Sequence, residues 1–254
     1  SLSSLSCNPV NAVYEDKYGT LWVGTVEGGL NRKEPGSERF THYTRERGGL
    51  SHNSVSALTA DRNNRLWVGT WGGGINWLDL KTPQSVQKVI SSQTSNGLPV
   101  DFIGALAYDS INNGVWIGAN QGLYFYDIAK EELVSPLAGQ AAANVHGCIG
   151  SIIDRDGKLW IGCLEGVYIV DLHSRSAEGE FQYRHLNYKL DDPDSRLIEK
   201  ITCFYEAKDG TLWLGSNGFG IYKRIINPEG KEKFFSYNTT HGLPNNSVRG
   251  ILED

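Results

Sequence analysis

The sequence predicts an all-β fold, a β-propeller with four-stranded antiparallel blades, built from five complete repeats plus the first strand of a sixth. Three observations predict it. Leu21-Trp22-Val23-Gly24-Thr25 returns as Leu66-Trp67-Val68-Gly69-Thr70, Val115-Trp116-Ile117-Gly118-Ala119, Leu159-Trp160-Ile161-Gly162-Cys163 and Leu212-Trp213-Leu214-Gly215-Ser216, at the spacing of roughly 45–50 residues that marks a propeller blade. Each unit reads as short alternating strands punctuated by Gly, Asn and Asp, with no helical periodicity of useful length. The 30 Gly, 7 Trp and 12 Tyr suit many tight hairpins with packed faces and do not suit a helical bundle.

The elements of a unit follow in order. The first strand is announced by Asn8-Pro9-Val10-Asn11-Ala12-Val13, matched by Asn53-Ser54-Val55-Ser56-Ala57-Leu58 and by Asn246-Ser247-Val248-Arg249-Gly250-Ile251. An acid then precedes the Trp by six residues in Asp16, Asp61 and Asp154 and by seven in Asp109; Ala207 replaces it in the fifth unit, and Asp254 takes its place in the sixth. Its carboxylate can accept hydrogen bonds from the turn amides, while Gly19, Asn64, Gly157 and Gly210 supply the positive φ of a short hairpin. The Trp strand is second. A third opens at Gly28 to Asn31, Gly73 to Asn76, Gly122 to Asp127 and Gly166 to Asp171, and a fourth falls at Phe40 to Tyr43, Phe181 to Tyr183 and Phe234 to Tyr237. The repeat boundaries lie near residues 7–50, 51–97, 98–143, 144–195, 196–243 and 244–254. An internal repeat needs a repeated packing reason: the Trp is expected to fill the wedge between blades, and the following Gly to let the next blade approach.

Composition narrows the function. Lys and Arg total 24 against 29 Asp and Glu, a net charge of −5, which argues against nucleic acid as a partner. No apolar run reaches the ~20 residues of a membrane span, and no basic, apolar leader opens the chain. Cys7, Cys148, Cys163 and Cys203 lack CxxC spacing, which argues against zinc. They read as buried free thiols; a Cys148–Cys163 bridge needs the two on adjacent strands. An open arc would expose the apolar faces of its end blades. Together with the absence of Met and an end inside a repeat, this predicts that further blades lie outside the chain or that two copies meet as a homodimer, with closure as five blades a third option.

The unit Asn-x-Val-x-Ala-Val-x-x-Asp-x-x-Gly-x-Leu-Trp-Val-Gly-Thr-x-x-Gly-Gly-Leu-Asn, with connecting segments such as Gly97-Leu98-Pro99 and Gly242-Leu243-Pro244, resembles the two-component regulator propeller repeat over nearly the whole chain. The resemblance implies the periplasmic sensor domain of a hybrid two-component histidine kinase of the Bacteroides type, binding oligosaccharides and signalling through the parent protein's one membrane span. Ala207 and Cys163 depart from the pattern, at a turn and at a lost Thr.

Repeats keep scaffold residues alike, so recognition is expected where the repeat breaks, at the loops between strands two and three and the loops leading into the first strand, which share one face. The hairpin loops offer Glu27, Trp71, Asn120, Gln121, Glu165, Asn217 and Phe219. Trp71 lies outside the repeated Trp position. Sugar CH faces pack on indole, and carboxylates and amides bind hydroxyls; the alternative is that Trp71 covers its own blade edge. The lead-in loops offer Asp101, His146, Arg196 and Glu199, whereas Asn8, Asn53 and Asn246 repeat and read as structural caps. The insertion from Tyr188 to Lys200 reads either as a binding loop or as a solvated surface loop.

Catalytic motifs are absent from the sequence: no GxSxG elbow, no HExxH, no Walker loop. Asp154-Arg155-Asp156-Gly157 begins like a calcium loop but lacks the remaining ligands, so no metal and no cofactor are expected. The reading is a ligand-binding rather than a catalytic propeller. The alternatives are a propeller lyase of the streptogramin-lyase type, with His146 as base, and a protein-interaction scaffold without a small ligand.

Overall fold

The computed structural model describes residues 3–94, 97–137, 141–186 and 200–253. They form five four-stranded antiparallel sheets, each in simple up-and-down order, and divide into two compact units, Ser1–Val134 and Ser135–Asp254. The first unit holds three sheets: β1 (Val10–Glu15), β2 (Leu21–Thr25), β3 (Leu30–Lys33) and β4 (Phe40–Tyr43); β5 (Val55–Ala60), β6 (Arg65–Thr70), β7 (Ile75–Asp79) and β8 (Lys88–Ile90); β9 (Ile103–Asp109), β10 (Gly114–Ala119), β11 (Leu123–Asp127) and β12 (Glu132–Val134). The second unit holds two: β13 (Gly150–Ile153), β14 (Lys158–Cys163), β15 (Gly166–Asp171) and β16 (Tyr183–Leu186); β17 (Ile201–Glu206), β18 (Leu212–Ser216), β19 (Ile221–Ile226) and β20 (Glu232–Tyr237). We call them blades 1 to 5. The sixth repeat forms one isolated bridge, Asn217↔Ser247, in place of the expected strand. The segment is held to blade 5 by the Val248 amide, which donates to the Ser216 carbonyl at 2.8 Å, and by Thr202 Oγ1, which donates to the Val248 carbonyl at 2.6 Å.

The repeated acid does more than cap its turn. One carboxylate oxygen accepts turn amides, as Asp16 does from Tyr18 (2.9 Å) and Thr20 (3.0 Å). The other accepts the indole N–H of the blade's own Trp: Asp16 from Trp22 at 2.8 Å, Asp61 from Trp67 at 2.9 Å, Asp109 from Trp116 at 3.2 Å and Asp154 from Trp160 at 2.7 Å. Burying an indole strands one N–H, and this bond satisfies it. In blade 5, where Ala207 stands at the acid's position, Asp209 takes over part of the turn through the Thr211 amide at 2.8 Å, and Trp213 is only half-buried.

Neighbouring blades within a unit pack through these tryptophans. Trp22 joins Tyr43, Val55, Val68 and Leu78 between blades 1 and 2; Trp67 joins Ile103, Leu106 and Tyr126 between blades 2 and 3; Trp160 joins Ile201, Leu214 and Tyr222 between blades 4 and 5. The glycine two residues beyond each Trp sets the approach. A Cβ on Gly24 would lie 2.5 Å from Val55 Cγ1, one on Gly69 2.8 Å from Ile103 Cγ2, and one on Gly162 2.3 Å from the Ile201 carbonyl oxygen. Over Trp160, Arg184 of blade 4 and Arg224 of blade 5 converge on Glu232, at 2.6 Å each, with the Arg224 guanidinium 4.9 Å from the indole centroid.

Candidate functional site

Each blade presents two loops at one end: the loop leading into its first strand and the hairpin joining its second and third. Main-chain bonds hold them together. Within a blade, the first hairpin residue donates to the lead-in loop: Val26 to Pro9 (3.0 Å), Trp71 to Ser54 (2.8 Å), Asn120 to Phe102 (2.8 Å), Leu164 to His146 (3.0 Å) and Asn217 to Lys200 (3.0 Å). Toward the following segment, Gly29 donates to the Asn53 carbonyl (2.8 Å), Gly72 and Gly74 to that of Asp101 (3.0 Å each), and Gly218 and Gly220 to that of Asn246 (3.1 and 2.8 Å). In the wider hairpins a hydroxyl closes the inside: Thr25, Thr70 and Ser216 donate to Gly29, Gly74 and Gly220 at 2.9, 2.8 and 2.9 Å. Buried Asn31 and Asn76 fix the adjoining loops by accepting the amides of Ser6 (2.8 Å) and Ser51 (2.9 Å). The scaffold thus rests mainly on backbone and inward-facing groups of the hairpins.

In the first unit, Glu27, Asn120 and Gln121 are exposed. Trp71 is 42% exposed and packs edge-on against Phe102 of the next lead-in loop, which is 44% exposed; the ring centroids are 5.5 Å apart at 78°. Phe102 was not among the sequence candidates. Its signal lay in the column Pro9, Ser54, Phe102, His146 and Lys200, one residue past the recurring Asn. Asp101, expected to break the repeat, continues it: its Oδ1 accepts the Ser92 amide at 2.7 Å, as Asn53 accepts that of Arg45 (2.8 Å) and Asn246 that of Thr239 (2.8 Å). The Ser92 hydroxyl takes the other oxygen at 2.5 Å. A carboxylate replaces an amide without changing the job, so Asp101 is a cap.

In the second unit, His146 Nδ1 lies 3.4 Å from Glu165 Oε1, and the Glu165 carbonyl accepts from His185 Nε2 at 3.0 Å. The His185 ring stacks on Tyr168 at 4.0 Å. Burial lowers the pKa of His185, and burial, reinforced by Cys163 and Glu165, pushes the Tyr168 phenol up to about 12. Asn217 is exposed and accepts from the Ser247 hydroxyl at 3.0 Å. Phe219 packs against the core between blades 4 and 5 and so serves the scaffold. Arg196 and Glu199, with most of the Tyr188–Lys200 insertion, lie outside the described residues. Among the described residues no group of three or more His, Cys, Asp and Glu side chains is placed to hold a metal. Two shallow clefts, one along Ser174, Phe181 and Tyr183 and the other along Asp209, Lys223 and Ile226, lie at the opposite, turn end of the second unit's blades.

The first unit's loops therefore offer an exposed aromatic pair with amide side chains on the adjacent hairpin, and the second unit's loops, taken by themselves, a His–carboxylate pair. The two-component regulator propeller family model matches three segments of the chain, residues 4–27, 49–72 and 196–218. Its fold is similar to the extracellular domains of two B. thetaiotaomicron proteins assigned as hybrid two-component systems. One is 22% identical over 93% of this chain and 31% of its own, with a TM-score of 0.72; the other is 20% identical over 97% and 37%, with a TM-score of 0.61. An ancestral GH74 enzyme is similar at 15% identity over 92% of this chain and 33% of its own, with a TM-score of 0.63. These likenesses establish the β-propeller fold, and the chain spans about a third of the length of each of these structures. No curated protein matches the chain.

Proposed function

We propose that the chain is the ligand-sensing part of a two-component sensor and that it binds an oligosaccharide at the loop end of its blades. The observation behind this reading is the Trp71–Phe102 pair: two large rings remain exposed at hairpin and lead-in loop, while the repeated tryptophans of the first unit are buried. A flat aromatic surface takes the CH face of a sugar ring, and the amides of Asn120 and Gln121 on the adjoining hairpin offer both donors and acceptors to hydroxyls. In this reading the domain works outside the cytoplasm, and binding shifts the population of receptor states that the parent protein passes to its kinase. Titration calorimetry against a panel of oligosaccharides tests it. A hit whose affinity falls at least tenfold in Trp71→Ala, with unchanged thermal stability, supports it; equal affinity in Trp71→Ala overturns it.

A propeller lyase is the second reading, favoured by the pairing of His146 with Glu165, which orients an imidazole as a general base requires. Metal-dependent opening of an antibiotic lactone, abolished by His146→Ala, would establish it.

A further inference from the structure

We propose that Cys148 and Cys163 are a disulfide-forming pair that ties the lead-in loop of blade 4 to its loop-end hairpin. Their sulfurs lie 3.2 Å apart, and both residues are buried. Two local departures from the repeat meet at this point. The first is an extra residue. In blades 1, 2 and 5 the ladder pairs Ala12↔Gly24, Ala57↔Gly69 and Cys203↔Gly215 follow Pro9, Ser54 and Lys200 by three residues, whereas in blade 4 Gly150↔Gly162 follows His146 by four. The added residue is absorbed around Gly147, at φ 60° in the left-handed region, where a Cβ would meet Leu164 Cγ at 2.5 Å. The loop turns Cys148 inward.

The second departure is the lost hydroxyl. Cys163 occupies the position of Thr25, Thr70 and Ser216. Those hydroxyls also accept an inner amide of the wider hairpins, from Gly28, Gly73 and Phe219 at 3.1 Å each. In blade 4 Cys163 pairs directly with Gly166, the hairpin has only two loop residues, and no inner amide calls for an acceptor. A thiol at this position is therefore free to meet the thiol that the bulge delivers. Cys203 lies elsewhere in the unit, with its sulfur 4.0 Å from the Val248 carbonyl.

Bond formation needs a thiolate. The adjacent Cys148 thiol and burial hold the Cys163 thiol above its ordinary pKa. A disulfide oxidant balances the step. One cysteine thiolate attacks it and releases one thiol; the second then displaces the other thiol from the mixed disulfide. The cysteine pair gives up two electrons and two protons, and the oxidant is reduced to two thiols.

The inference stands apart from any ligand. Its test is the whole chain produced in an oxidising compartment, denatured in N-ethylmaleimide without reductant, then weighed and peptide-mapped. The expected result is two alkylated cysteines, Cys7 and Cys203, with a cross-linked peptide joining Cys148 to Cys163. Thermal unfolding of this form should lie roughly 5–10 °C above that of the reduced protein, a difference lost in Cys163→Ser and in Cys148→Ser alike. Four alkylated cysteines, or a cross-link to Cys7 or Cys203, would overturn the proposal.

Discussion

Four tryptophans give their indole N–H to a carboxylate six or seven residues earlier, and the same carboxylate organises the turn between them. Removing it strands a buried donor and several turn amides at once. Asp154→Ala should cost about 2–4 kcal/mol in denaturant unfolding, and Asp209→Ala, at the exposed turn of blade 5, clearly less. Glu232 gives a pH signature. Burial would raise its carboxyl, but hydrogen bonds and charge from Arg184 and Arg224 outweigh burial and hold it below the ordinary carboxylate range. A carboxyl depressed in the folded state stabilises above its unfolded pKa, and that stability is lost as pH falls through the folded value. Thermal unfolding followed from pH 6 toward ~3 should therefore show a shallower acid decline in Glu232→Gln than in the parent, with lower stability at neutral pH. An identical acid limb in both proteins would contradict the clamp. The turn role of the repeated acid was legible from its spacing. Its indole partner was not, because spacing does not show which way a ring edge points.

At the scale of the element, blades meet where a glycine lies opposite the next blade's first strand. Gly24→Ala should push Val55 aside and cost on the order of 1–3 kcal/mol. Because the clash is with the valine side chain, Gly24→Ala combined with Val55→Ala should cost less than the sum of the two single changes, a coupling readable in a double-mutant cycle. The wedge and its glycine were written into the sequence as a repeat, since packing imposes the same demand at each blade junction. Loop-end roles were harder to read, and Asp101 and Phe102 show why. Asp101 looks irregular by residue type yet performs the task of Asn53, since capping needs only an oxygen. Phe102 looks like one more loop residue until the one-residue offset of its blade is resolved and its ring is seen against Trp71. Side-chain chemistry shared between Asn and Asp conceals continuity, and contact across a blade junction has no local spacing to betray it.

For the whole molecule, the blades of each unit repeat their packing residues and vary at their loops. On the proposed reading, a saturating oligosaccharide should raise the thermal midpoint of the parent chain, by mass action on the folded state, and raise that of Trp71→Ala less. In the first unit the hairpins' support comes from amides, carbonyls and the Thr25 and Thr70 hydroxyls, which have no stake in the identity of Val26, Trp71 or Asn120. It follows that these positions form a natural randomisation surface: a combinatorial library confined to them should diversify specificity while every clone keeps the same framework, much as antibody loops are rewritten on a constant sandwich.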